Sequence, residues 1–271
     1  MSGVMSGVLE LSVAGKPVHI ATGGKPFDPA LPTVVFLHGA GMDHTVWTLQ
    51  ARYFAHHGHS VLAPDLPGHG RSSGPPHDTI AALSGWLVQL LEAAGVSSAC
   101  LVGHSMGALI GLETAASASD RVAKLALLGA AAEMPVHPDL LAAAEQGLGP
   151  AVDLVVAWGF GKRAHLGGAQ APGGWMLGAG RRVLERGLKV GAMAASFRAC
   201  DAYKTALDSA ARVSAPVLLL LGETDRMTPP AGARPLATKL KDSRTVVLPD
   251  TGHMMMIEAP DATLDALRAF L

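Results

Sequence analysis

Short runs rich in β-branched and apolar residues recur at 8–13, 18–21, 33–37, 60–63, 99–102, 122–128, 217–221 and 244–248, each of strand length. Between the later runs the spacing changes to that of helices: Leu83, Leu87, Leu90 and Leu91 share one face, Leu109 and Ile110 lead into a run of alanines, and Leu264, Leu267, Phe270 and Leu271 recur near the C-terminus. Strands alternating with helices predict an α/β fold, a doubly wound and mostly parallel sheet of about eight strands covered on both faces. The first two runs, joined through Ala14, Gly15 and Lys16, read instead as an antiparallel hairpin at one edge.

The alternation fails between Glu133 and Arg212. Helical patches around 140–146 and 183–200 stand there without a strand, and glycines crowd the stretch from Gly159 to Gly191. The expectation is a helical cap at 133–212 inserted into a core made of 1–132 and 213–271. A fixed extra layer and a mobile lid both fit that pattern.

Composition narrows the function. Apolar residues make up 49% of 271 and charged ones 16%, with 32 Gly and 18 Pro, as in a globular chain punctuated by loops. A net charge of -1 without a basic run removes the field that would attract nucleic acid or an anionic membrane, so a small-molecule substrate is expected and no oligomeric state is assigned. No apolar run approaches the roughly 18 residues that span a bilayer, and 1–8 has neither the basic start nor the apolar stretch of a signal peptide; a cytoplasmic protein is expected. Cys100 and Cys200 are too few for a disulfide framework and read as free thiols. His56, His57 and His59 lack the i, i+4 spacing and carboxylate partner of a helical zinc site, so they read as surface residues and no metal is expected.

The sharpest chemical signal is Gly103-His104-Ser105-Met106-Gly107, lying between the run at 99–102 and the helical pattern from Ala108. A serine on a tight strand-to-helix turn projects its hydroxyl from the sheet edge, and small flanking residues leave room for a strained backbone. In so glycine-rich a chain the pentapeptide alone is weak. In this context it resembles the nucleophile elbow of the α/β-hydrolase fold family, and four further segments extend the resemblance over nearly all the chain outside the cap. Leu37-His38-Gly39-Ala40-Gly41 is similar to that family's oxyanion-hole loop, and Asp65-Leu66-Pro67-Gly68-His69-Gly70-Arg71-Ser72 to its Gly-rich turn. Gly222-Glu223-Thr224-Asp225 follows the strand after the cap, where its acid usually sits, and Thr251-Gly252-His253 follows the last strand, in the position of its histidine.

The resemblance implies a serine hydrolase with Ser105 as nucleophile, His253 as base and Asp225 as the acid that orients it, in the chain order of this architecture. Glu133 and Asp250 stay open as alternative acids. The implied oxyanion donors are the backbone N–H groups of Met106 and Ala40, with Gly41 as second choice. Trp47, His104, Met134, Trp158, Phe160, Trp175 and Met254 are candidates for the substrate pocket, alongside Met176 and Phe197; His38 and His104 are also implied as loop-packing rings bonded to backbone. Lys162, Arg163, Arg181, Arg182 and Arg198 could recognise a carboxylate or simply face water. A serine at the elbow disfavours the dehalogenase and epoxide-opening branches, whose nucleophile is a carboxylate. Ester or lactone hydrolysis is therefore expected, without a cofactor. Thioester or C–C bond hydrolysis, and a ligand receptor that keeps the pocket without turnover, are the other readings.

Overall fold

The eight apolar runs form one sheet in the order β1-β2-β4-β3-β5-β6-β7-β8. The computed structural model describes residues 7–165 and 173–271. β1 (Val8–Val13) and β2 (Lys16–Ala21) pair antiparallel across a turn at Ala14 and Gly15, where φ is +50° and +73°. β2 also runs antiparallel to β4 (Ser60–Pro64). β3 (Thr33–Leu37), β4, β5 (Ala99–His104), β6 (Val122–Leu128), β7 (Val217–Gly222) and β8 (Ser243–Leu248) are parallel. β3, β4 and β7 are buried at every position, which is why they read as continuous apolar runs, whereas β8 at the edge keeps exposed Arg244 and Thr245.

The helices of the first half of the core are α1 (Thr48–Ala55), α2 (Ile80–Ala93) and α3 (Met106–Ser117). The start of α2 is set by Thr79, whose hydroxyl accepts the N–H of Ala82 at 3.2 Å, and its leucines Leu83, Leu87, Leu90 and Leu91 are all buried. Between β6 and β7 the described residues hold only helices: α4 (Pro138–Glu145), α5 (Gly149–Gly159), α6 (Lys162–His165), α7 (Gly173–Lys189), α8 (Ala192–Ala202) and α9 (Ala206–Arg212). The chain closes with α10 (Pro230–Lys239), α11 (Met255–Glu258) and α12 (Pro260–Arg268). Two details of the intervening segment depart from the sequence pattern. The helix expected over 183–200 is two helices, broken at Gly191 with φ of +73°. α5 has no counterpart in the pattern because it starts at Gly149-Pro150 and ends at Gly159, residues that mark loops unless Pro takes a first-turn position, as it does here. No helix among the described residues is long and apolar enough to cross a membrane.

These helices are tied to the sheet's loops by polar contacts. His69 Nε2 lies 3.0 Å from Ser196 Oγ in α8, and Arg186 of α7 pairs with the buried Asp43. At Gly187 a Cβ would stand 2.2 Å from the carbonyl oxygen of Gly41, so α7 touches the loop after β3 backbone to backbone.

The loop after β4 is braced by a buried carboxylate. Asp65 Oδ1 accepts from the backbone N–H and the ring Nδ1 of His44, both at 2.8 Å, and Oδ2 accepts from the N–H of Arg71 at 2.8 Å. Gly70 is required beside it, since its φ is +51° and a Cβ would stand 2.2 Å from Asp65 Oδ2. Burial alone would raise this carboxyl; the His44 bonds and charge outweigh it and hold Asp65 down at about 2. A folded value below the unfolded one, about 3.9, stabilises the protein above that pH by roughly 2 kcal/mol, and this is lost as pH falls toward the folded value. Asp65→Asn should therefore be less stable than wild type in urea at pH 6, with the gap closing by about 1 kcal/mol by pH 3. A gap independent of pH would assign the loss to packing alone.

Candidate active site

β5 ends at His104, and the chain turns sharply into α3 at Ser105, whose φ of +55° and ψ of -117° lie where a side chain is strained. Neighbouring backbone forces this turn. A Cβ on Gly103 would stand 2.2 Å from the carbonyl oxygen of Gly107, and one on Gly107 would stand 2.3 Å from that of Leu37. The Ser105 N–H donates to the carbonyl of Leu128 at 2.9 Å, fixing the turn to β6 as well. The two glycines of the pentapeptide are thus contact points between β3, β5 and α3.

His253, 1% exposed, sits in the loop after β8, and its Nδ1 lies 2.7 Å from Asp225 Oδ2 in the loop after β7. Asp225 Oδ1 accepts the N–H groups of Met227 and Thr228, each at 2.8 Å, and Oδ2 also accepts the Thr228 hydroxyl at 2.7 Å. Burial would raise the Asp225 carboxyl, but the facing imidazole and these donors hold it below the ordinary range. An ionised Asp225 accepts the proton on Nδ1, which leaves Nε2 of a neutral His253 as an acceptor. Asp250, by contrast, lies in an exposed turn with φ of +52°, and Glu133 is exposed beyond β6.

The His253 backbone is held from two further sides. Its N–H donates to the carbonyl of Gly159, at the end of α5, at 2.8 Å, and its carbonyl accepts His104 Nε2–H at 2.9 Å. Burial and then the neighbouring His253 push the His104 ring down to about 3, so it stays neutral and keeps that donor. Glu258 gathers the N–H groups of Gly161 at 2.8 Å, Met254 at 3.1 Å and Gly252 at 3.3 Å. Burial still raises its carboxyl, despite these donors. Neither Thr228 nor Glu258 stood out in the sequence; their only signals are a hydroxyl three residues after Asp225 and a carboxylate five after His253.

Ser105 and His253 line one cavity of about 390 Å³. Ala40 borders it, and Met106 supplies the first N–H of α3, a position with no intrahelical acceptor and the positive end of the helix dipole. Gly41, with φ of +67°, closes the turn in which Met42 N–H meets the Gly39 carbonyl at 3.2 Å. Met134, Trp158, Phe197 and Met254 lie in the wall as expected from sequence. Four expected wall residues do not. Trp47, just before α1, is fully buried against Phe36 of β3, with ring centroids 5.2 Å apart. The His104 ring turns behind His253 to reach its carbonyl, and Phe160 packs into a separate cleft with Gly180 and Leu184. The side chain of Trp175 lies outside the described residues, as does that of Arg163. Met176 is buried away from the wall.

The three histidines after α1 are not gathered as ligands: His57 stacks on Tyr53 at 3.8 Å and His56 is exposed. One trio among the described residues, His19, His44 and Asp65, brings ligand atoms within 4.8 Å of one another. Its Asp65 oxygens are the ones already engaged by His44 and Arg71, so the trio is accounted for as the hydrogen-bonded brace of the β4 loop.

Strain at residue 105 is separable from chemistry. Glycine accepts that φ and ψ without penalty, so Ser105→Gly should be about 1 kcal/mol more stable than Ser105→Ala, which keeps the strain, in urea unfolding. Equal stabilities would mean that the turn stores no strain.

Residues 34–266 match the alpha/beta hydrolase family. Carbamate hydrolase RutD of Enterobacter cloacae is 28% identical over 87% of this chain and 89% of its own length. Pimeloyl-[acyl-carrier protein] methyl ester esterase of Aromatoleum aromaticum is 31% identical over 85% of this chain and 94% of its own. The enol-lactonase of Burkholderia xenovorans superposes with a TM-score of 0.87 and 27% identity, covering 97% of this chain and 99% of that one. With an eight-stranded sheet of this order and a family match over most of its length, the chain belongs to the alpha/beta hydrolase family.

Proposed function

We propose that this enzyme hydrolyses carboxylic esters or lactones, with Ser105 as nucleophile, His253 as general base and Asp225 as the carboxylate that orients it. The observation that carries the reading is the 2.7 Å bond between His253 Nδ1 and Asp225 Oδ2, in a histidine that shares a cavity with a strained serine at a helix start. A serine hydroxyl is a poor nucleophile at neutral pH, so Nε2 of His253 takes its proton as Oγ bonds to the acyl carbon. Asp225 stabilises the imidazolium that forms. Negative charge develops on the carbonyl oxygen and is met by the N–H groups of Met106 and Ala40, with Gly41 as the other donor in reach of that loop. Collapse expels the alcohol, which takes the proton from His253, and water repeats the sequence on the acyl-enzyme.

Residues 133–212 serve in this reading as the cap over a core of 1–132 and 213–271, supplying Met134, Trp158 and Phe197 to an apolar substrate wall. A methyl ester, an enol-lactone and a carbamate, named for the relatives above, each present a carbonyl carbon to which a leaving oxygen or nitrogen is attached. An ester or lactone is the choice for this chain because the wall beside Ser105 is mostly apolar and an oxygen leaving group departs more readily than a nitrogen one.

Labelling with a fluorophosphonate and turnover of short p-nitrophenyl esters test the assignment. Wild type should react in both assays, and Ser105→Ala and His253→Ala should each lose at least about a thousandfold in kcat/KM. Asp225→Asn should fall steeply as well, with Asp250→Asn and Glu133→Gln near wild type. Labelling that persists in Ser105→Ala would move the nucleophile elsewhere, and tight ligand binding without turnover would make the chain a receptor.

A further inference from the structure

Among the described residues no Asp or Glu side chain lines the cavity that holds Ser105 and His253, and Arg226 is the permanently charged residue in its wall. Of the cap cations, Arg181 pairs with Asp153, Arg198 pairs with Glu145, neither they nor Lys162 and Arg182 border the cavity, and the side chain of Arg163 lies outside the described residues. His137, which does, has a carboxylate of Asp139 within 3.8 Å. Arg226 is exposed, and no carboxylate among the described residues stands at ion-pair distance from it. The nearest acid in sequence, Asp225, turns the other way, with its oxygens engaged by His253, Met227 and Thr228.

From these placements we infer that Arg226 reads a carboxylate on the substrate, so that the preferred esters or lactones are anionic. The inference rests on the hydrolase reading above and names its substrate class. A guanidinium offers two parallel N–H donors to a carboxylate, and at the rim of an apolar cavity that bond is stronger than in bulk water. A single guanidinium, with no second one in the wall among the described residues, suits one carboxylate better than a phosphate dianion. The volume of about 390 Å³ is near the lower end of small-molecule sites, in keeping with a short acid rather than a long acyl chain. Arg226 immediately follows the residue that orients His253, so the anion would be held at a fixed offset from the reacting carbonyl.

Two pairs of esters matched in length separate the possibilities. In the first the carboxylate ends the acyl chain, as in the mono-p-nitrophenyl ester of a six-carbon diacid against p-nitrophenyl hexanoate; in the second it is carried by the alcohol, as in 4-carboxyphenyl against phenyl butyrate. Wild type should favour the charged member of at least one pair by about five- to tenfold in kcat/KM, expressed mainly in KM because the contact is made in ground and transition states alike. Arg226→Gln should bring that ratio close to one, Arg226→Lys should retain part of it, and high salt should shrink it in wild type. A ratio near one in both pairs, or a preference that survives Arg226→Gln, would overturn the inference while turnover of the neutral esters leaves the serine hydrolase standing. Failure of wild type to label with fluorophosphonate and to cleave any of the four would remove both.

Discussion

The imidazole of His253 is fixed only because four separate parts of the chain close on one loop. Asp225 from the end of β7 holds its Nδ1, the His104 ring from the end of β5 holds its carbonyl, the Gly159 carbonyl from α5 takes its N–H, and Glu258 gathers the N–H groups on either side. A buried ring and its backbone must have their polar partners supplied by the protein, since an unpaired polar group costs about 1–3 kcal/mol when buried. The parallel sheet makes this economical. Its strand ends all open on one rim, so residues over 100 positions apart arrive there without long loops.

The same rim explains what the sequence reveals and what it hides. Strands are legible because both faces of β3, β4 and β7 are covered, which writes burial directly as an apolar run. The elbow is legible because backbone contacts at Gly103 and Gly107 leave no room for a Cβ, which fixes both glycines in the pentapeptide. His104 is legible as a ring bonded to backbone only through the family resemblance, and Glu258 not at all, since the backbone partner of each lies far along the chain and residue type does not name it. His104 bonds 149 positions away and Glu258 97 positions away. Trp47 and Phe160 show a different gap: aromatic character predicts burial but not which of two neighbouring hollows receives the ring. Charge in the cavity wall is equally hidden: six of the 13 arginines fall in 133–212, while the one that borders the cavity follows β7.

Thr228 illustrates how little material such precision takes. Its hydroxyl touches both Asp225 Oδ2 at 2.7 Å and His253 Nδ1 at 3.1 Å, while its N–H bonds the other carboxylate oxygen. The carboxylate plane is thereby set from its own loop as well as by the imidazole. The opposite wall is set differently: Gly129 leaves only 3.0 Å between a hypothetical Cβ and the His253 ring, so the end of β6 acts as a backstop.

The contact at Gly187 gives the enclosure two unequal sides. There α7 rests on the Gly41 carbonyl with no side chain between, anchored next door by Arg186 on Asp43, so any bulkier residue would lever the loop that carries Ala40. Leu140, Val155 and Trp158, on α4 and α5, line the cavity, and the backbone contact on this flank falls just past them, where the Gly159 carbonyl takes the His253 N–H. A lineage that retunes this chamber for a differently shaped compound has its freedom along that flank, and the α7 flank must be inherited almost unaltered.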